Sequence, residues 1–171
     1  MTTFYGTAAD FITYHESRGK TILSSWTTAV IEAALLVASE WLDGRYRNFW
    51  VGYPTDGYTQ ERLWPREGAY TNTYTSYTFD SDEIPDAVEQ ATYEAAFREL
   101  NSSGSLEIDF TPSKYSKVSV DKAVSVTYDS RLTEVSDFQV EIQKVQQLML
   151  PLIDPQSTGL LSTLSGAGER L

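Results

Sequence analysis

From Val30 to Leu42 nearly every position is apolar: Val30, Ile31, Ala33, Ala34, Leu35, Leu36, Val37, Ala38, Trp41 and Leu42. The polar residues Thr28, Glu32, Ser39 and Asp43 fall at helical offsets and keep only a narrow stripe. A helix that is apolar round most of its girth is buried round most of it. The run is shorter than the roughly 20 residues that a bilayer span needs. Residues 27–43 therefore predict the core helix of a globular domain. Ser24 or Ser25 would cap it, and Gly44 would end it in a left-handed turn.

Three other periodic stretches predict surfaces to cover that helix. Residues 7–18 read as a short helix, with Thr7 and Asp10 spaced like a capping box and Phe11, Ile12 and Tyr14 as apolar contacts. Residues 84–100 read as another, with Pro85 at the first helical position and Asp82, Glu83 and Asp86 against the positive end of the helix dipole. Its buried face would carry Ile84, Val88, Ala91 and Ala95. The last helix, 136–150, would be capped by Ser136, bury Phe138, Ile142, Val145, Met149 and Leu152, and finish at Pro151.

Two stretches break the helical rhythm. Residues 114–128 alternate with period two, Val118 and Val120 on one arm and Val124, Val126 and Tyr128 on the other, which predicts a β-hairpin. Such a hairpin is marginal in water alone and must lean on something. Between Arg47 and Ser81 no period holds. Gly52, Pro54, Asp56-Gly57, Pro65 and Gly68 turn the chain repeatedly, while Phe49, Trp50, Tyr53, Leu63 and Trp64 must pack down. The run 70–79 is rich in Tyr and Thr and favours an extended segment or edge hairpin. A long loop of this kind carries function or contacts. The fold class is thus mainly α: a bundle of about four helices with a projecting hairpin, a long irregular loop (47–81) and an extended C-terminal tail. One domain spans 1–153, and 154–171 is an arm with Leu160, Leu161 and Leu164 set among Gly and Ser.

Charge narrows the chemistry. The chain of 171 residues holds 24 acidic and 13 basic side chains, a net charge of −11. Such a surface repels nucleic acid at long range. There is no cysteine, which removes disulfides and thiolate chemistry. Met1–Asp10 shows neither the basic nor the apolar region of a secretory leader. The single histidine, His15, has no nucleophile or orienting partner in the pattern and reads as a surface or half-buried residue. No phosphate loop, calcium loop or nucleophile-elbow motif is present. The expectation is no enzyme, no metal, no cofactor and no membrane span.

Aromatic residues give the sharper alternative. Tyr70, Tyr74, Tyr77 and Phe79 could stack bases, with Arg45, Arg47, Arg62 and Arg66 holding phosphates, as in single-strand binding. Packing or subunit contact accounts for the same aromatics. Lys114, Lys117 and Lys122 on the hairpin read as a solvated edge-protecting face.

The order of motifs resembles a known family. Ala9-Asp10 with Tyr14, then Trp41-Leu42-Asp43-Gly44-Arg45-Tyr46, Trp64-Pro65-Arg66 with Gly68, and Asp82-Glu83-Ile84-Pro85 precede a Lys-flanked Val-rich hairpin and a glycine-bearing tail. The combination looks like the tailed-bacteriophage family catalogued as DnaT-like single-stranded-DNA-binding proteins, over roughly residues 5–165. Its layout is also similar to head–tail connector, or adaptor, proteins. The stretch 70–81 departs from the family pattern in being longer and richer in Tyr and Thr.

The resemblance implies two functions, and the acidic composition favours the second of them. A DNA-binding role needs a basic aromatic groove. A connector role needs a compact body, arms that grip neighbours, and a channel too negative for DNA to cling to. The expectation is a homo-oligomeric ring, a dodecamer by what the resemblance implies, in the virion neck and made in the host cytoplasm. It would sit between the portal and the next neck or tail protein, with DNA passing through unbound. Interface contacts would come from hairpin and tail: Lys114, Lys117, Val118, Val120, Lys122, Leu160, Leu161, Leu164 and Arg170. The alternative is a single-stranded-DNA-binding replication accessory.

Overall fold

A computed structural model describes residues 4–107 and 140–154, together with the backbone of two strands at 117–120 and 124–127. Thr7 opens the first element as its spacing with Asp10 predicts: its side chain accepts from the Asp10 amide at 3.1 Å and donates to the Asp10 carboxylate at 2.6 Å. Helix α1 then runs Ala8–Glu16. Phe11, Tyr14 and also His15 are buried on it.

The core helix α2 spans Thr28–Tyr46, and both of its ends differ from expectation. Its cap is Thr27, which accepts from the Val30 amide at 3.4 Å, and not Ser24 or Ser25. Gly44 does not end it. A glycine inside a helix costs about 1 kcal/mol, but one further half-turn brings Tyr46 into the core, where it is almost wholly buried. That burial is worth more than the glycine costs. The polar stripe also lies elsewhere than the pattern suggests. Ser39 and Asp43 face inward, while Ala29, Val30 and Ala33 face solvent. Ser39 meets its own needs by donating to the Leu35 carbonyl and accepting from the Tyr5 amide.

Helix α3 spans Asp86–Asn101, with Pro85 as its cap and not its first residue. Val88, Ala91, Ala95 and Ala96 are fully buried, and Ile84 is half-buried. The bundle is built on α3, which packs chiefly on α2 and on α4. Alanines on both α2 (Ala34, Ala38) and α3 let two backbones approach closely. Helix α4 is shorter than its periodicity predicts, Gln143–Met149, because Ile142 is already extended at its start. Val145, Met149 and Leu152 are buried as expected, and Pro151 sits in a closing 3-10 turn, Leu150–Leu152. Ser136 and Phe138 lie outside the described residues.

Where no period exists, the chain forms fragments. Strand β1 (Tyr53–Pro54) pairs antiparallel with β2 (Arg66–Glu67), and a 3-10 turn, Gly57–Thr59, lies between them. Gly52 has φ +73°, and a Cβ there would collide with the Glu67 carbonyl. Thr71 bonds the Tyr77 carbonyl at 2.8 Å and Tyr70 bridges Thr78, so part of the Tyr/Thr run does form the edge hairpin. The predicted valine hairpin is observed as β3 (Lys117–Val120) and β4 (Val124–Thr127), antiparallel, with Val118 opposite Val126. Among the described residues, no helix is long and apolar enough to cross a membrane. The tail from 155 on, with Leu160, Leu161, Leu164 and Arg170, lies outside the described residues, as do Lys114 and Lys122.

Candidate functional site

The irregular segment is fixed to the bundle by buried charge. Arg66 is buried; its Nε donates to the Val51 carbonyl at 2.8 Å, one Nη to the Leu63 carbonyl at 3.1 Å, and the other to the Gly52 carbonyl. These carbonyls have no strand ladder to join, so the guanidinium takes the place of one. Beside it, Asp43 of α2 accepts from Tyr5 Oη at 2.5 Å and from the Leu63 amide at 3.3 Å, and pairs with Arg62 at 3.4 Å. The Trp64 amide donates to Tyr5 Oη at 3.1 Å. Burial pushes the Asp43 carboxyl up to about 6, against the opposing pull of Tyr5 and Arg62. Burial and the Asp43 charge together push the Tyr5 phenol up.

This removes two of the four candidate phosphate contacts. Arg62 and Arg66 keep only 7 % and 5 % of their surface and hold the chain's own groups. A buried guanidinium already bonded to protein cannot also reach a phosphate. Arg45 lies 5.9 Å from the rings of both Trp41 and Tyr46, and Arg47 is exposed just beyond α2.

The aromatic candidates divide as well. Tyr74 is fully exposed, Tyr77 about half exposed and Tyr70 less than half. Phe79 instead packs edge-on against Trp64 at 5.8 Å and carries Tyr77 on its other side at 5.1 Å. Phe79 is therefore an anchor, not a platform. Tyr53, expected to pack down with Phe49, Trp50, Leu63 and Trp64, is instead exposed on the short β1 strand, and Tyr58, which the sequence did not single out, is fully exposed as well. Tyr58 follows Asp56-Gly57, a turn signal that could have marked it.

Carboxylates stand beside two of these rings. Tyr77 Oη donates to Glu83 at 3.3 Å, and the charges of Glu83 and Glu67 push the Tyr77 and Tyr53 phenols up. Residues 47–83 hold six carboxylates, three arginines and no lysine, and two of those arginines are buried. An open cleft of about 770 Å³ lies at the other end of the segment, lined by Glu40, Asp43, Glu61, Arg47, Arg62 and Tyr58 among others. Its lining mixes both signs of charge.

His15 is fully buried, a correction to the surface or half-buried expectation. Its Nε2 bonds the Tyr93 carbonyl at 3.0 Å, and it lies against Phe11 at 4.6 Å and Phe97 at 4.5 Å. Burial lowers its pKa and keeps it neutral. No group of three His, Asp or Glu side chains among the described residues could hold a metal ion.

A family model described as "Putative DnaT-like ssDNA binding protein" matches residues 4–165. No curated protein and no solved structure gives a significant match. The match accords with the family that the motifs suggested and carries no statement about a connector.

Proposed function

The chain belongs to this DnaT-like family, and within it we propose, from its charge and from the use made of its arginines, that it is a non-enzymatic structural subunit of a phage neck. In this reading it assembles as a ring beneath the portal and lets DNA pass. One observation carries the reading: Arg62 and Arg66 are spent on holding the tyrosine-bearing segment together, which leaves exposed tyrosines of which two, Tyr53 and Tyr77, stand beside carboxylates. Tyrosine beside carboxylate suits a protein neighbour and repels a phosphate backbone. The net charge of −11 acts in the same direction.

The family's description favours a second reading, single-stranded DNA binding. There Tyr70, Tyr74 and Tyr77 would stack bases and Arg47, with Arg45, would meet phosphates. Titrating the full chain with labelled oligo-dT separates the two. The connector reading expects no micromolar binding at low salt, and presence of the protein in assembled particles. Micromolar affinity that falls steeply with salt would establish the second reading instead.

A further inference from the structure

One face of α2 is open to solvent. Val30, Ala33, Val37, Glu40, Gly44 and Arg47 follow at alternate spacings of three and four, which sets them in one row along the helix. Arg47, the cap residue, still has helical backbone angles and continues the row. Val30 keeps 43 % of its surface, Ala33, Glu40, Gly44 and Arg47 are exposed, and Val37 is half-buried. Gly44 has no evident reason within the chain. It lies inside the helix, is not among the glycines with positive φ, and a Cβ built on it would meet nothing within 4 Å. Neither a turn nor internal packing calls for glycine there, and glycine weakens a helix. What a bare α-carbon does permit is the close approach of a second backbone.

We infer that this row is the contact surface for α2 of a second copy of the chain, the two helices crossing antiparallel at Gly44. The charges of the row select a second copy over any other partner. Glu40 stands four residues before Gly44 and Arg47 three after it, roughly 6 and 4.5 Å along the axis. Under a twofold axis through the crossing, Glu40 of each copy comes level with Arg47 of the other. The contact is self-complementary, and the ion pair is made twice. Neither charge is fully engaged within its own chain. Arg47 makes no ion pair among the described residues, and Glu40 reaches Arg62 only at 3.5 Å, with its side chain half exposed. The open cleft begins at the crossing, with Gly44 and Arg47 on one wall and Pro54, Tyr58 and Leu63 opposite. Beyond the crossing, the apolar half of each helix, Val30 to Val37, runs toward that cleft in the other copy and finds cover there. The pair goes beyond the connector reading and does not rest on it: a twofold contact closes on itself as a dimer, and a ring needs a further surface.

Sedimentation of the full chain over a range of concentrations tests the pair, and a reversible monomer–dimer equilibrium is expected. Gly44→Leu should weaken dimerisation by about tenfold or more, since it holds the backbones apart. The same variant should leave the dilute monomer at least as thermostable as the wild type, because leucine is the better helix former and meets nothing in the chain. Arg47→Glu sets like charges together and should weaken dimerisation roughly tenfold, and Glu40→Arg added to the same chain should restore it. A chain that stays monomeric, a dimer indifferent to Gly44→Leu, or a charge swap without rescue overturns the contact. So does a Gly44→Leu monomer that melts well below the wild type, which would show that the glycine serves the fold. Tight oligo-dT binding or absence from particles would sink the connector reading and leave this contact standing.

Discussion

The helical bundle and the segment 47–83 are both folded, but different forces hold them. In the bundle, alanine and leucine faces meet, and beyond the first turn of each helix the amides bond carbonyls four residues back. In the segment, backbone ladders are only two residues long, and buried side-chain charge does the joining. Trp50 and Trp64 pack edge to face at 5.6 Å and give the segment an apolar floor. The contrast teaches that aperiodic chain can be as fixed as a helix when a few polar side chains replace the missing regularity.

The contrast can be broken most severely from the bundle side. Ala38 is fully buried on α2. Ala38→Asp places an unpaired carboxylate in the core and should abolish folding, seen as loss of the helical circular-dichroism signal. A chain that still melts cooperatively would show that α2 is not central.

Arg66→Met should act on the segment and spare the helices. It leaves the Val51, Gly52 and Leu63 carbonyls without their donor, at a cost of about 3 kcal/mol. Tryptophan fluorescence from Trp50 and Trp64 should change in the native state while helical content holds. A pure stability loss with native fluorescence intact would mean that the guanidinium does not shape the segment.

Asp43 joins the two regions and makes their union sensitive to pH. Burial lifts its folded-state pKa from 3.8 to about 6, so the folded chain takes up this proton more readily than the unfolded one. The resulting stabilisation is full below pH 4 and fades as pH rises through 6, with a size on the order of 3 kcal/mol. Glu94 acts in the opposite sense, since Lys20 and Tyr14 draw it down despite its burial, while burial raises Glu89 as it does Asp43. The quantity to measure is therefore the stability of the wild type minus that of Asp43→Asn at each pH. It should grow as pH falls from 7 to 4.5. A flat difference would refute the assignment.

The smallest effect is expected at the rings that nothing covers. Tyr58→Ser and Tyr74→Ser remove fully exposed side chains and should shift stability by less than about 0.5 kcal/mol. A larger loss in dilute monomer would show that these tyrosines are structural.

What could be read from the sequence follows the same division. Val88, Ala91 and Ala95, or Val145 and Met149, announce themselves because helical period and burial coincide. Ser39 and Asp43 do not. Their spacing gives the stripe, but only the Tyr5 amide and hydroxyl, more than thirty residues away, turn that stripe inward. Arg62 and Arg66 mislead for a related reason: an arginine that binds carbonyls and one that binds phosphates look alike in a string of letters. Neither the exposure of Tyr70, Tyr74 and Tyr77 nor the partial burial of Phe79 could be read from the Tyr/Thr run, since both depend on where Trp64 lies.

The last described residues are stitched to the segment. Ile153 bridges Trp50, the Val51 amide reaches the Leu152 carbonyl at 3.3 Å, and the Asp154 amide reaches that of Phe49 at 2.8 Å. Whatever pulls on the chain beyond this seam pulls first on the tryptophan floor. Tension from that end would reach Trp50 and Trp64 before it could unwind a single helical turn, so those indoles are the natural strain gauge of the molecule.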